Sequence, residues 1–208
     1  MYVNLSIKQS SNEDLRIQRT KRLLREAITK LLKKNELKDI SIKKISDEAM
    51  IYRTTFYAHY SDKYDLLEDY LIEAWKNEIL LGGIINVNKQ EFIKETYWKG
   101  MLDTVKYFKR YSKLYLQLSE FKPIISKNNL IYKTLKQFFN ILLSILQPDD
   151  LKMLVSKERI SEFYISGYIN SILNWLESGA KESCESVTKD FITLTDNNLT
   201  FLINKEFQ

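Results

Sequence analysis

The sequence predicts an all-α protein of about nine helices. Only two prolines and five glycines occur among its 208 residues, so few positions interrupt regular structure. Apolar residues recur at spacings of three, four and seven, as at Leu24, Ile28 and Leu31, which is the spacing of one face of a helix. No segment shows the apolar–polar alternation or the Asn-Gly turn that would indicate strands and hairpins.

The basic charge of the chain lies in its first third. Residues 1–65 contain 14 Lys and Arg against 9 Asp and Glu, whereas residues 66–208 contain 18 of each. A basic N-terminal unit followed by a neutral body favours a polyanion as the partner of that unit. Charge alone leaves a second interpretation open, namely a lysine-rich surface that is only solvated.

A helix-turn-helix is predicted between Ser41 and His59. Ser41 suits the N-cap of a helix over about residues 42–50, because its hydroxyl can accept a free N–H of the first turn. A second short helix follows over residues 53–59. The residues spaced to form their shared core are Ile45, Ala49, Ile51 and Phe56. With a preceding helix that ends near residue 34, the motif forms a three-helix domain whose last helix can enter a DNA major groove.

The outer face of this motif has the chemistry of DNA contacts. Arg53 can fork onto a guanine edge, and the hydroxyls of Thr54 and Thr55 can reach phosphates or bases. Tyr57 and His59 can reach phosphate oxygens. The predicted DNA contacts are Ser41, Lys43, Lys44, Arg53, Thr54, Thr55, Tyr57, His59 and Lys63.

This stretch resembles the N-terminal domain of TetR-type regulators. Their pattern is a Thr or Ser that opens the second helix, then Ile-Ala, Ala-Gly-Val and Thr-Phe/Leu-Tyr-x-His-Phe-x-x-Lys. The matching residues here are Ser41, Ile45, Ala49, Ile51, Thr55, Phe56, Tyr57, His59, Tyr60, Lys63, Leu66 and Leu67. Two positions depart from the pattern. Met50 replaces the turn glycine, and Tyr52 replaces the Ser or Asn that caps the recognition helix, so that a tyrosine there can face the DNA backbone instead.

The C-terminal part also resembles this family. Gly167 is followed eight residues later by Trp175, as in TetR-type regulators similar to the dihydroxyacetone-kinase regulator. The resemblance implies a helix-turn-helix DNA-binding domain over residues 13–62 and a regulatory and dimerisation domain over residues 84–208. Between them we expect a connecting helix over residues 63–81, stopped by Gly82 and Gly83.

Aromatic residues of the second domain suggest a ligand pocket. Its candidate lining residues are Trp98, Met101, Tyr107, Tyr111 and Tyr132. The alternative is that these aromatic side chains only form the core of the domain, as such stripes most often do.

The last two helices are predicted to form a homodimer interface. Small residues allow close approach of two helices, and large ones supply buried anchors. The predicted interface residues are Tyr164, Gly167, Tyr168, Ser171, Trp175, Val187, Phe191 and Leu194. Alternatively, both helices only close their own domain. A twofold dimer would place two recognition helices ~34–36 Å apart on a near-palindromic double-stranded operator.

Catalytic, metal and membrane functions find no support in the sequence. One histidine, His59, and one cysteine, Cys184, cannot form a tetrahedral zinc site on their own, and no phosphate-binding loop or nucleophile motif occurs. We therefore expect no enzyme, metal or cofactor. No signal peptide and no apolar stretch near the roughly 18 residues of a membrane span occur, so we expect a cytoplasmic bacterial protein.

These observations predict a sequence-specific DNA-binding transcriptional regulator. The leading hypothesis is a repressor released by a small-molecule effector bound in the C-terminal domain. The alternative is an activator controlled by a protein partner, a coregulator, instead of a small-molecule ligand.

Overall fold

The computed structural model describes residues 15–79, 92–121, 123, 124, 126, 129–146 and 155–203. Within these ranges the backbone forms α-helices and no strand, so the all-α prediction with about nine helices is confirmed. The nine helices are α1 (Leu15–Leu32), α2 (Ile42–Ala49), α3 (Arg53–Tyr57), α4 (Lys63–Ile79), α5 (Phe92–Arg110), α6 (Ser112–Phe121), α7 (Leu130–Leu146), α8 (Lys157–Glu177) and α9 (Cys184–Ile203). A single 3₁₀ turn, Leu37–Asp39, lies between α1 and α2.

The chain divides into two compact units, Met1–Ala74 and Trp75–Gln208, and the division falls within α4. The predicted connecting helix over residues 63–81 agrees with α4 at its start. Its predicted end, with Gly82 and Gly83, lies outside the described residues. The domain limits at residues 62 and 84 stay a prediction.

The first unit is a small helical domain with an apolar core. Helix α1 packs on α2, and α2 packs on α3. Each helix contributes side chains that are almost fully buried, because apolar residues three and four positions apart share a face. The core includes Leu24, Ile28, Leu37, Ile40, Ile45, Phe56, Leu66 and Leu67.

Side-chain caps begin the two helices that frame the motif. The hydroxyl of Ser41 accepts the N–H of Lys44 at 3.2 Å, as its position before α2 predicts. At the start of α4, one carboxylate oxygen of Asp62 accepts the N–H groups of Tyr64 at 2.7 Å and Asp65 at 2.9 Å. These bonds satisfy donors that the first turn of a helix leaves free.

The second unit is held together by aromatic side chains. Helix α8 packs on α6 and α7, and α5 packs on α9. The ring centroids of Phe108 and Tyr115 lie 4.3 Å apart between α5 and α6, and burial raises the pKa of Tyr115. Helix α8 ends before Gly179, whose φ of +88° is the left-handed conformation expected of a glycine after a helix.

Across the described residues, no helix combines the length and the hydrophobicity that crossing a membrane requires.

Candidate nucleic-acid interface

The turn between α2 and α3 contains a residue in the left-handed conformation. Met50 has φ 54° and ψ 43°, its N–H donates to the carbonyl oxygens of Ser46 and Asp47, and the N–H of Ile51 donates to the carbonyl of Ser46 at 3.0 Å. The turn therefore adopts the geometry that a glycine serves in the resembled pattern. A side chain at this φ costs about 1 kcal/mol relative to glycine.

Helix α3 buries one face and exposes the other. Phe56 is fully buried, whereas Arg53, Thr54 and Tyr57, which share the opposite face, are exposed. The guanidinium of Arg53 makes no hydrogen bond or ion pair with the described residues, nor does the ammonium of the exposed Lys43 on α2. This recognition face, Lys43, Arg53, Thr54 and Tyr57, is therefore available to a partner. Thr55 and His59 are half-buried beside it.

The side chains of three predicted DNA contacts make hydrogen bonds within the chain. Ser41 caps α2, and the ammonium of Lys44 donates to the carbonyl of Asp39 at 3.0 Å. The ammonium of Lys63 donates to three carbonyls, those of Leu37 at 2.7 Å, Ile40 at 2.9 Å and Lys38 at 3.3 Å. An ammonium has three donors, so these bonds use all of them.

Lys63 thus clamps the start of α4 to the segment that precedes α2. Burial lowers the pKa of Lys63, and the charge of Asp39 offsets part of that effect. A direct phosphate contact by Lys63 would require the ammonium to give up at least one of its three carbonyl partners.

A second polar cluster holds Tyr60, three residues after the end of α3. One carboxylate oxygen of Asp69, on α4, accepts the hydroxyl of Tyr60 at 2.7 Å and the guanidinium of Arg25, on α1, at 2.7 Å. Burial alone would lower the pKa of Arg25, but the hydrogen bond and charge of Asp69 outweigh it, so the pKa is raised. The cluster ties α1, the end of the motif and α4 to one carboxylate.

The list of predicted contacts omits Met50 and Tyr52, although a tyrosine at position 52 was expected to be able to face the DNA backbone. The two residues are 89% and 83% exposed, close in the chain to Arg53. Tyr52 occupies the N-cap position of α3 but makes no side-chain cap bond. The departure of both residues from the resembled pattern was the available signal, because each replaces a small residue with a large one.

The predicted pocket residues differ in burial. Tyr107 and Tyr132 are buried, whereas Trp98, Met101 and Tyr111 are half-buried. The ring of Tyr107 lies 4.7 Å from that of Tyr111, within the aromatic core of α5 and α6. The pocket stays a prediction.

The predicted dimer-interface residues differ in burial within the chain. Five of the eight residues are already buried within the chain: Tyr164, Tyr168, Trp175, Val187 and Phe191. The ring of Tyr168 lies 4.9 Å from that of Phe191 on α9. These large side chains thus pack within the second unit, and the dimer interface stays a prediction. Gly167, Ser171 and Leu194 remain exposed, as does Phe163, which the prediction omitted.

Among the described side chains, no group of three or more His, Cys, Asp or Glu is placed to hold a metal ion.

Residues 95–197 match the family TetR_C_8, described as "Transcriptional regulator C-terminal region". The structure is similar to "Dihydroxyacetone kinase operon activator DhaS" (TM-score 0.53, 16% identity, 89% of this chain and 98% of that chain). It is also similar to FadR of Thermus thermophilus, a TetR family transcriptional repressor in complex with lauroyl-CoA (TM-score 0.61, 18% identity, 84% of this chain and 92% of that chain).

A third similar structure is a TetR-family regulator of Streptomyces coelicolor (TM-score 0.59, 18% identity, 89% of this chain and 87% of that chain). At these identities the likeness to solved structures concerns the fold. No curated protein sequence matches the chain. Residues 95–197 thus form the C-terminal region of a transcriptional regulator, and the chain shares the fold of TetR-type regulators.

Proposed function

We propose that the chain binds a specific double-stranded DNA operator through the recognition face of α2 and α3. One observation carries the proposal. Arg53, Thr54 and Tyr57 are exposed together on α3, opposite the buried Phe56. Arg53 forks onto a guanine edge, while Lys43 contacts a phosphate. The basic excess of residues 1–65 supplies the general attraction to the phosphate backbone.

Replacing Arg53 with alanine is expected to weaken operator binding about tenfold or more and to relax base preference at one position, because a bidentate arginine–guanine pair is lost. The probe is the shortest duplex retained from fragmented genomic DNA by the immobilised protein. Fluorescence anisotropy at several salt concentrations gives the affinity and its salt slope.

The charge control is Lys133→Ala. Lys133 is an exposed lysine of α7, in the second unit, so the variant loses one positive charge outside the recognition face and outside α8 and α9. We expect its affinity to stay within about twofold of the wild type. A wild-type chain whose DNA binding shows no salt dependence would contradict the proposed function. Wild-type affinity in the Arg53→Ala variant would contradict only the site.

We further propose a twofold homodimer formed by the exposed surface of α8 and α9. Phe163 is 75% exposed and Leu194 is 57% exposed, so a partner that covers α8 and α9 would remove two large apolar side chains from water. Gly167 and Ser171 are exposed one turn apart on α8, so a partner helix can approach closely. A dimer of this kind presents two recognition helices to a near-palindromic operator.

Gly167→Arg is expected to convert the dimer to a monomer, with at least a tenfold loss of operator affinity. A Cβ atom built at Gly167 meets no atom within 4 Å, so the subunit itself has room for a side chain. Sedimentation equilibrium measures the assembly, and Gly167→Ala is the control that should remain dimeric. Persistence of the dimer in Gly167→Arg would show that this face is not the interface.

The regulation we propose is repression released by a small molecule bound in the second unit, among the predicted pocket residues. Helix α4 carries residues of both units, so a ligand that shifts it changes the geometry of the recognition face, and ~1–3 kcal/mol of coupling suffices. The similar FadR, a repressor in complex with lauroyl-CoA, supports a small-molecule effector. The protein would act in the bacterial cytoplasm, without catalysis.

The second candidate is an activator controlled by a protein partner. It is favoured by the similar structure of DhaS, which is an operon activator. The close packing of the rings of Tyr107 and Tyr111 also favours it, because packed rings leave less room for a small molecule among the predicted pocket residues. A reporter gene placed behind a retained fragment separates the two candidates, because expression falls with a repressor and rises with an activator.

A further inference from the structure

Met50 combines a left-handed backbone with an exposed side chain, and neither property stabilises the fold of the subunit. Its backbone occupies the left-handed region at φ 54°, where glycine is preferred. Met50 is 89% exposed, so it buries almost no apolar surface. Observed backbone strain of this kind points to a functional constraint at the residue that carries it.

Two more large side chains are exposed close to Met50 in the chain. Tyr52 is 83% exposed and Tyr57 is 57% exposed. Single exposed apolar side chains are ordinary on protein surfaces, so exposure alone decides little. Here all three fall within residues 50–57, on the turn and the helix that also present Arg53.

The charges near the exposed residues Met50, Tyr52 and Tyr57 favour DNA as their partner. The guanidinium of Arg53 and the ammonium of Lys43 are exposed and make no ion pair with the described residues. A duplex offers phosphates to these cations and, in the same major groove, apolar surface at thymine methyl groups and at the sugars of the groove wall.

We propose that Met50 contacts the operator directly, with its thioether side chain packed against a thymine methyl group or a deoxyribose. The inference rests on the proposed operator binding and adds a nonionic contact to it. A flexible, polarizable side chain suits an irregular apolar surface. The left-handed backbone at Met50 places this side chain on the turn that leads into the recognition helix.

Three substitutions in the full-length protein test the contact against the shortest retained duplex. Met50→Gly removes the side chain and keeps the backbone conformation, Met50→Asn keeps a side chain that tolerates this conformation but is polar, and Met50→Leu keeps the apolar character. We expect Met50→Gly and Met50→Asn to lose operator affinity by about threefold to tenfold, and Met50→Leu to stay within about twofold of the wild type.

The salt dependence distinguishes this contact from a phosphate contact. The slope of log affinity against log salt should stay unchanged in all three Met50 variants, whereas Lys43→Ala should reduce it by about 1. The midpoint of thermal unfolding of Met50→Gly should equal or exceed that of the wild type, which shows that the lost affinity is not lost folding.

Wild-type affinity in both Met50→Gly and Met50→Asn would overturn the proposal. So would a loss in Met50→Gly alone, because it would trace the effect to the turn and not to the side chain. Absence of salt-dependent binding by the wild type would be a different result, since it removes the proposed function itself. Replacing thymidine by deoxyuridine in the duplex removes the methyl group of the base. This change should weaken binding if Met50 contacts a thymine methyl group, and should leave binding unchanged if Met50 contacts a deoxyribose.

Discussion

Replacing Lys63 with methionine is expected to lower the free energy of unfolding of the first unit by about 2–3 kcal/mol. The ammonium of Lys63 donates to the carbonyls of Leu37, Lys38 and Ile40, and bonds to a charged donor contribute about 1.5–3 kcal/mol each. Water can replace the bond to Lys38, whose surroundings are exposed, so the full sum is not lost. Methionine keeps the length and the helix propensity of lysine.

Urea unfolding of the full chain measures this loss, with two probes. All three tryptophans, Trp75, Trp98 and Trp175, belong to the second unit, so their fluorescence follows that unit, while circular dichroism follows both. The transition seen by circular dichroism should move to lower urea, and hydrogen exchange of the amides in α1 and α2 should accelerate.

Lys43→Met is the matched control for Lys63→Met. Lys43 is exposed and makes no hydrogen bond or ion pair with the described residues, so its loss should change stability by less than about 0.5 kcal/mol while it weakens DNA binding. If Lys63→Met instead lost operator affinity without any loss of stability, Lys63 would be a phosphate contact, and the clamp would add nothing to the stability of the fold.

The position of Lys63 in the resembled pattern predicted its importance but not its partners. Helix periodicity and caps are local, so the sequence could place Ser41 before α2. The bonds of Lys63 join residues 23–26 positions apart in the chain. Only the packing of the helices brings these groups together, and no local pattern contains it.

The faces of α8 show the same limit. Its large residues Tyr164, Tyr168 and Trp175 pointed to an interface, yet neighbouring helices of the same chain cover them. When a helix has aromatic residues on one face and small residues on another, its sequence alone does not predict which face packs against the rest of the same chain. The prediction omitted Phe163, which is adjacent to the buried Tyr164 in the chain but lies on the exposed side of the helix.

The turn at Met50 shows what the sequence could predict from its own departures. The resembled pattern has a turn glycine at this position, and Met50, which replaces it, has the left-handed backbone that glycine readily adopts. What the pattern could not give is the exposure of the side chain, which depends on how α2 and α3 cross. Strain and exposure together, and neither alone, make Met50 a candidate for a contact.

Asp69→Ala is expected to destabilise the first unit by about 2–3 kcal/mol. It removes the acceptor that the hydroxyl of Tyr60 and the guanidinium of Arg25 share. Loss of one partner from a fully buried ion pair costs about 3–5 kcal/mol. The side chains of Arg25 and Asp69 are still 23% and 18% exposed, so solvent screening lowers that value. The same urea experiment measures the change.

The exposed pair of Arg22 and Glu26 on α1 gives the control within the same unit. Nε of Arg22 lies 3.8 Å from Oε1 of Glu26, and the two side chains are 66% and 57% exposed. Glu26→Ala should therefore lower the free energy of unfolding by less than about 0.5 kcal/mol. A double-mutant cycle of Tyr60→Phe with Asp69→Ala should give a coupling of about 1 kcal/mol. Equal losses for Asp69→Ala and Glu26→Ala would show that the cluster adds no more stability than a surface pair. A loss confined to Asp69→Ala, with the expected coupling, would show that one carboxylate holds α1, α4 and the end of the recognition motif together.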